Sequence, residues 1–215
     1  MTTTTTTAFD PRAIGGSSAA SCVGVGFESG LALWQRLRGD ESQVRRWTRE
    51  QKRLLSAGLA LEPIVRDAVR EDYGTELLMH PDEVRHPQHD RIVGHLDAWI
   101  EPGRIGAEIK VVSGYGQGWG ELDTDEIPRG YVVQCAHYMM LTGAREWHVF
   151  AARLPSWRVD RYIVRRDQAV CDALLARELH MLALVDEGTP PDPADEAEAR
   201  ALFFRHAEGV TAQAT

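Results

Sequence analysis

Two carboxylates and one lysine near the middle of the 215-residue sequence have the types and the spacing of a cation-dependent site. Asp97 is followed by Glu108, and Lys110 comes two positions later. Neighbouring carboxylates repel each other unless a cation lies between them, and hard oxygen ligands with room for water suit Mg²⁺. A lysine beside them can orient a water molecule and offset negative charge on a phosphate. Because the pattern is short, a surface Glu–Lys pair with an unrelated Asp is the simpler alternative.

The elements that must position this trio are expected to be the two strands of a hairpin. Residues 91–100 and 104–112 have strand-like composition and are joined by a Glu-Pro-Gly turn. Side chains alternate along a strand, so Glu108 and Lys110 point to the same face. The hairpin would then bring Asp97 beside Glu108.

The rest of the sequence predicts an α/β fold, with a central mixed β-sheet flanked by helices. The predicted helices are a short one within 14–26 and longer ones at 31–37, 43–55, 59–73, 131–141 and 167–185, and two more strands are predicted at 147–153 and 159–164. Pro63 is expected in the first turn of its helix, where a missing N–H costs nothing, and Gly74 is expected to end that helix. Asp167 is a candidate cap for the last of these helices.

Length and composition favour a single folded domain. With 215 residues, 43% of them hydrophobic, the chain can form one sizeable core but not two. Residues 1–11 are predicted to be a disordered leader and 12–188 the domain. Residues 189–215 form an acidic, Pro-rich tail that can hold one more short helix, at 194–206.

Hydropathy and cysteine content argue against several classes of protein. No apolar run approaches the ~20 residues that span a bilayer. The three cysteines are scattered, which argues against a disulfide framework and favours a reducing cytoplasm. They are also one fewer than the four thiolates that usually hold an iron–sulfur cluster.

The net charge of −8 is unevenly distributed along the chain. Residues 36–53 contain seven basic side chains and three acidic ones, and residues 158–166 contain a second group of four arginines, whereas the acidic excess lies in residues 186–198. Local patches decide where a phosphate backbone can dock, although two solvated helix faces are the simpler interpretation. Of the 24 basic residues only Lys52 and Lys110 are lysine. A compact ammonium at position 110 can approach a single oxygen in a way that a guanidinium cannot.

Asp97 followed by Glu108-Ile109-Lys110 resembles the core motif of PD-(D/E)XK nucleases. The motifs around it resemble, in the same order, those of the lambda exonuclease/YqaJ family of viral recombination nucleases. They are Ile14-Gly15-Gly16-Ser17, Trp34, Gly58 to Pro63, His80-Pro81, Gly94 to Asp97, Glu108 to Lys110, Trp119-Gly120, Ile127-Pro128, Tyr131 to Tyr138, Thr142-Gly143 and Arg166-Asp167. The resemblance covers roughly residues 12–185 and implies a restriction-endonuclease-like core.

The resemblance also implies roles for the residues of the trio and its neighbours. Asp97 and Glu108 would be the main metal ligands, with the Ile109 carbonyl as a further one. Glu62 would be an outer carboxylate of the metal site, and Lys110 the catalytic lysine. Two Mg²⁺ ions, or Mn²⁺ in their place, would be the cofactor.

Four more residues receive roles by the same resemblance. Gln134 and Tyr138 match the Q-x3-Y pattern that positions the active site or the substrate, with Gln134 as a catalytic residue and Tyr138 as a DNA-binding one. Arg12 and Ser17 would bind the 5′-phosphate of a DNA end. Core packing for Tyr138 and an ordinary glycine turn before Ser17 stay open as alternatives.

Two positions depart from the family pattern. Leu96 stands where the family usually has proline, and His95 stands where a serine can occur. The metal site should survive both departures because Asp97 is present, but the second puts in doubt how the terminal phosphate is held.

The family activity implied is hydrolysis of DNA phosphodiesters by a 5′→3′ exonuclease. It would act on double-stranded DNA ends and leave 3′ overhangs for a single-strand annealing protein. A homotrimer with DNA through its centre is also implied. The alternatives are a RecB-like or CRISPR-adaptation-like nuclease, an endonuclease of the same superfamily, and a catalytically silent DNA-binding module. A zinc site at His80, His86 and His89 is a weaker alternative, because their spacing fits no common structural site.

Overall fold

The structure, a computed structural model, describes residues 10–40, 48–80, 82–113 and 118–194. Its helices are α1 (Gly16–Ala19), which continues as a 3₁₀ turn (Ala20–Val23), α2 (Gly30–Leu37), α3 (Arg49–Tyr73), α4 (Arg129–Thr142) and α5 (Gln168–Glu187). Its strands are β1 (Leu78–Met79), β2 (Glu83–His86), β3 (His89–His95), β4 (Ala98–Glu101), β5 (Ile105–Ser113), β6 (Glu146–Leu154) and β7 (Arg158–Arg165).

Five of the strands form the mixed sheet that the sequence predicts. Their order is β1-β4-β5-β6-β7, with β5 and β6 parallel and the other pairs antiparallel. The chain passes between the two parallel strands through α4, because parallel neighbours need a long crossover. Strands β2 and β3 form a separate antiparallel pair.

Alternation along β5 separates the two helical layers. Ile109 packs with Val65 and Val69 of α3 on one face of the sheet. On the other face, Tyr138 of α4 packs against Trp147, which is fully buried. The helices therefore cover both faces, as a sheet with apolar side chains on both sides requires.

A buried ion pair anchors α4 to α5 and to β3. Nδ1 of His137 lies 2.8 Å from Oε1 of Glu178, and its Nε2 lies 2.7 Å from the carbonyl oxygen of Val93. Both ring nitrogens thus face oxygen acceptors, which favours the doubly protonated imidazolium. Burial alone would lower the pKa of His137, but the attraction of Glu178 and the two hydrogen bonds outweigh it and raise the pKa.

One long helix replaces two that the sequence predicts. Helix α3 begins after Thr48, whose hydroxyl accepts a hydrogen bond from the Gln51 N–H. It continues through Pro63, so the prediction that Pro63 lies in a first turn is wrong. Proline leaves the carbonyl of Leu59 without its helical donor. Leu59 is 68% exposed, so water can hydrate that carbonyl.

Another difference affects the predicted strand at 91–100. It is divided into β3 and β4, which belong to different sheets, and Leu96 and Asp97 lie between them. The predicted hairpin of β4 and β5 is confirmed, as are the helix end at Gly74 and the cap by Asp167.

Some predictions fall outside the described residues. They are most of the leader, residues 43–47 of a predicted helix, and the tail from residue 195 onward. No helix among the described residues is long and apolar enough to cross a membrane.

Two glycines with opposite surroundings test the packing of the sheet. A Cβ atom on Gly106 would lie 2.3 Å from the buried ring of Trp147, whereas one on Gly58, within α3, would meet nothing within 4 Å. We expect Gly106→Ala to lower the free energy of unfolding by about 1–3 kcal/mol through overpacking. Gly58→Ala should raise it by about 0.5–1 kcal/mol, because alanine is the better helix former. Urea denaturation of both variants measures these changes, and equal effects would contradict the packing described.

Candidate active site

The β4–β5 hairpin brings Asp97 beside Glu108. Ala98 pairs with Ala107, so the residues just outside that pair are neighbours across the two strands. Oδ2 of Asp97 accepts a hydrogen bond of 2.7 Å from the backbone N–H of Ile109. This bond fixes the Asp97 carboxylate against β5, although Asp97 itself belongs to neither strand.

Glu108 is the centre of a buried hydrogen-bond network. It is 3% exposed, and its Oε1 contacts Nζ of Lys110 on the same face of β5, as strand alternation predicts. The Nε2 of Gln134 donates to Glu108 Oε1 at 2.8 Å and to the hydroxyl of Tyr138 at 3.0 Å. Strand β5 and helix α4 therefore build the site together.

Burial changes the protonation of the two carboxyls. The pKa of Glu108 is raised to about 7 by loss of hydration and by the charge of Asp97, against the attraction of Lys110. Burial also raises the pKa of Asp97, in spite of the bond from Ile109. Burial alone would lower the pKa of Lys110, but the attraction of Glu108 outweighs it and raises the pKa. The lysine is thus held as an ammonium.

The residues at this site fit a divalent cation. Oε2 of Glu108 is buried without a hydrogen-bond partner, and the neighbouring, partly buried Asp97 carboxyl brings a second acceptor. Such groups are costly unless a cation or a proton compensates them. Within the described part of the chain no three His, Cys, Asp or Glu residues are grouped closely enough to hold a metal, and this includes the histidines at 80, 86 and 89. A cation here would need backbone oxygen and water as further ligands, which suits Mg²⁺.

Glu62 reaches the site from the opposite helical layer. It lies on α3 and lines a cleft together with Ile109 and Lys110. Burial raises the pKa of Glu62, and the charge of Asp97 raises it further. The structure thus brings Glu62 to the edge of the site, electrostatically coupled to Asp97.

The residues predicted to bind a terminal phosphate are divided between two places. Gly16 packs so closely on Tyr138 that a Cβ atom there would lie 2.6 Å from the ring, and the adjacent Ser17 is exposed. Arg12 is elsewhere, because its guanidinium lies beside Gly39 at the end of α2. Tyr138 is buried at 4% exposure, which supports a positioning role through Gln134 rather than a direct contact with DNA.

His95, which departs from the family pattern, has a partner of its own. Its Nε2 lies 3.2 Å from Oε2 of Glu83, directly across the β2–β3 pair. The histidine side chain is 44% exposed, whereas that of Glu83 is almost fully buried. Position 95 is therefore occupied by an exposed histidine that contacts a buried carboxylate.

No role was expected for Tyr131 from the sequence. Its ring nevertheless contacts Lys110, the residue to which the family resemblance gives the role of catalytic lysine. The Nζ of Lys110 lies 4.9 Å from the centre of the Tyr131 ring, within the range of a cation–π interaction. Tyr131, Gln134 and Tyr138 are spaced i, i+3 and i+7, which puts them on one face of α4. That spacing could have identified Tyr131 from the sequence.

The mixed sheet with helices on both faces, and the Asp–Glu-x-Lys arrangement on its central hairpin, define a PD-(D/E)XK restriction-endonuclease-like fold. The YqaJ-like viral recombinase domain model matches residues 8–145, which is more than half of the chain. The chain belongs to this family.

Other similar proteins agree with this assignment. The uncharacterized protein YqaJ of Bacillus subtilis (strain 168) is 25% identical over 174 residues, which cover 78% of this chain. The match spans only 51% of that relative, so this chain spans about half the length of the curated relative it matches.

Two solved structures show the same fold at low sequence identity. An alkaline exonuclease (LHK-Exo) from Laribacter hongkongensis has a TM-score of 0.59 at 15% identity, covering 92% of this chain and 95% of that one. A phage related exonuclease from Haemophilus somnus 129PT has a TM-score of 0.65 at 14% identity, covering 81% and 94%.

The raised pKa of Glu108 predicts how stability depends on pH. Because its pKa is raised from 4.5 to about 7, the stability that its proton contributes is complete below pH 4.5 and is lost as pH rises through about 7. In EDTA, we expect wild-type protein to lose at most about 3 kcal/mol from this group between pH 5 and pH 8. Glu108→Gln should lose less.

Thermal or urea unfolding at the two pH values measures this difference. The exposed Glu71→Gln on α3 is the matched control and should behave as wild type. Mg²⁺ at pH 8 should stabilise wild type and Glu71→Gln but not Glu108→Gln. Identical pH dependence in all three proteins would show that Glu108 does not titrate as its burial requires.

Proposed function

We propose that this protein is a metal-dependent deoxyribonuclease that hydrolyses DNA phosphodiesters. The observation that carries the proposal is the buried Glu108, which has one unpartnered carboxylate oxygen, lies beside the partly buried Asp97 and contacts the ammonium of Lys110. A silent DNA-binding module would have no use for two adjacent carboxylates of which one is buried with an unpartnered oxygen. Two structural neighbours, an alkaline exonuclease and a phage related exonuclease, support the same activity.

The residues of the site have separate tasks in this proposal. Asp97, Glu108 and the Ile109 carbonyl would hold a divalent cation, with Glu62 as an outer carboxylate. When bound, such a cation polarises a phosphate oxygen and makes water more acidic. Lys110 offsets the negative charge that grows on the phosphate. Gln134 keeps Glu108 in one orientation by donating to Oε1.

The finer features of the proposal rest on the family resemblance. They are 5′→3′ polarity on double-stranded ends, 3′ overhangs, two Mg²⁺ ions, a homotrimer, a single-strand annealing partner and action in the cytoplasm. LHK-Exo has also been solved in complex with dAMP, a deoxynucleoside monophosphate of the kind that an exonuclease would release. Ser17 and Arg12 are proposed to bind the terminal phosphate.

Replacing the lysine tests the proposed chemistry. We expect wild-type protein with Mg²⁺ to degrade linear 5′-phosphorylated duplex, and Lys110→Ala to be slower by about 10²–10⁴-fold, because it lacks the charge beside the phosphate. Lys52→Ala is the matched control, since Lys52 is the other lysine of the sequence and is exposed on α3. It should retain the wild-type rate, measured as release of acid-soluble nucleotides.

The form of the DNA separates end-dependent from internal cleavage. Closed circular plasmid should survive under conditions that consume the linear duplex. Rapid nicking of the circle would establish an endonuclease instead. Equal product from wild type and Lys110→Ala, or none from either, would refute the proposed mechanism.

A further inference from the structure

Phe27 is the most exposed aromatic side chain near the candidate active site, at 66% exposure. It is carried on the short loop between the 3₁₀ turn and α2, and that loop is firmly held. Ser21 Oγ donates to the Glu28 carbonyl at 2.8 Å, and the Glu28 carboxylate lies 3.1 Å from the guanidinium of Arg36, which is 6% exposed. An exposed phenylalanine on a fixed loop leaves apolar surface in contact with water, and a ligand that covers the ring would gain the free energy of burying it.

The Phe27 ring is joined to the active site by a series of aromatic contacts. Its centre lies 6.0 Å from that of Tyr131, and Tyr131 lies 5.7 Å from Trp119. On its other side Trp119 is supported by Tyr162, at 5.0 Å, and by the guanidinium of Arg153, at 4.7 Å. We call Phe27, Tyr131 and Trp119 the aromatic platform.

The platform begins where the proposed chemistry takes place. The Tyr131 ring lies 4.9 Å from Nζ of Lys110, so one side chain links the ammonium that would meet the phosphate to the exposed ring of Phe27. A cation beside a flat apolar surface matches the two parts of a nucleotide, its charged phosphate and its base. The loop of Phe27 is also packed on the start of α4, because a Cβ atom on Gly130 would lie 3.2 Å from the Val25 carbonyl oxygen.

We propose that the aromatic platform binds an unstacked base of the DNA strand being cut, with Phe27 as the ring on which the base stacks. This inference rests on the proposed nuclease function and adds the residues that grip the nucleotide by its base. Every base has a π-face, so such a grip tolerates any sequence. It also holds the terminal nucleotide out of the duplex, which frees its phosphate to enter a site that is largely buried.

The aromatic platform is tested by comparing how wild type and Phe27 variants bind two DNA ends, one intact and one abasic. Binding is measured by fluorescence anisotropy, with Ca²⁺ in place of Mg²⁺, on a 5′-phosphorylated duplex whose terminal nucleotide is either intact or abasic. Stacking on an aromatic side chain contributes about 1–3 kcal/mol per base, so we expect wild type to bind the abasic end about 10-fold more weakly. Phe27→Ala should bind the intact end about 10-fold more weakly than wild type, and should not distinguish the two ends.

Conservative variants separate a stack from general apolar contact. Phe27→Tyr should behave as wild type and Phe27→Leu as Phe27→Ala, because leucine is apolar but has no π-face. Val170→Ala, at another exposed apolar position on α5, should match wild type. Thermal unfolding of the Phe27 variants should be close to wild type, because the side chain is largely exposed. With Mg²⁺, the variants should raise KM more than they lower kcat.

The outcomes distinguish this proposal from the nuclease proposal. Wild type that discriminates between the two ends but cleaves neither would refute the nuclease and keep the platform. Wild type that cleaves both ends and binds them equally would refute the platform alone. Losses in Phe27→Ala that are equal on intact and abasic ends would also overturn it. So would dissociation of an oligomer on sedimentation of Phe27→Ala, which would make Phe27 a contact between copies.

Discussion

The placement of the buried Glu108 carboxyl beside the partly buried carboxyl of Asp97 is the constraint on which the rest of this structure depends. The charge of Asp97 raises the pKa of the buried Glu108, and Oε2 of Glu108 has no hydrogen-bond partner. A folded chain tolerates such a pair only where its surroundings hold it rigidly. The bond from the Ile109 N–H, the contact with Lys110 and the amide of Gln134 supply that rigidity. The position of α4 is therefore set by the hydrogen bond that Gln134 must make to Glu108 on β5.

Helix α4 can hold Gln134 against Glu108 because its two sides are fixed by different interactions. One side presents Tyr131, Gln134 and Tyr138 to the sheet. The other is tied to α5 and β3 by His137, whose two ring nitrogens are both satisfied by oxygen acceptors. Buried ion pairs add little net stability but penalise alternative arrangements strongly, since either partner alone would be left uncompensated. The pair of His137 and Glu178 thus specifies the register in which Gln134 meets Glu108.

Local rules were sufficient where one strand or one turn decides the outcome. Alternation placed Glu108 and Lys110 on one face, and the hairpin placed Asp97 beside them. Such rules failed where tertiary packing overrides them. Alternation through 91–100 cannot reveal that the chain changes sheets at Asp97, and the preference of proline for a first turn cannot reveal that α3 runs straight through Pro63. Contacts such as that of Phe27 with α4 depend on elements distant in sequence, so no local pattern indicates them.

The arrangement also bears on how an acidic chain could act on DNA. With a net charge of −8, the chain as a whole does not attract phosphates at long range, so binding must depend on local basic groups and short-range contacts. A divalent cation between Asp97 and Glu108 would neutralise the negative charge of these two carboxylates. Stacking on Phe27 needs no charge at all, and its strength varies little with salt. In the proposed function, the cation and the aromatic platform would therefore supply part of this affinity at close range.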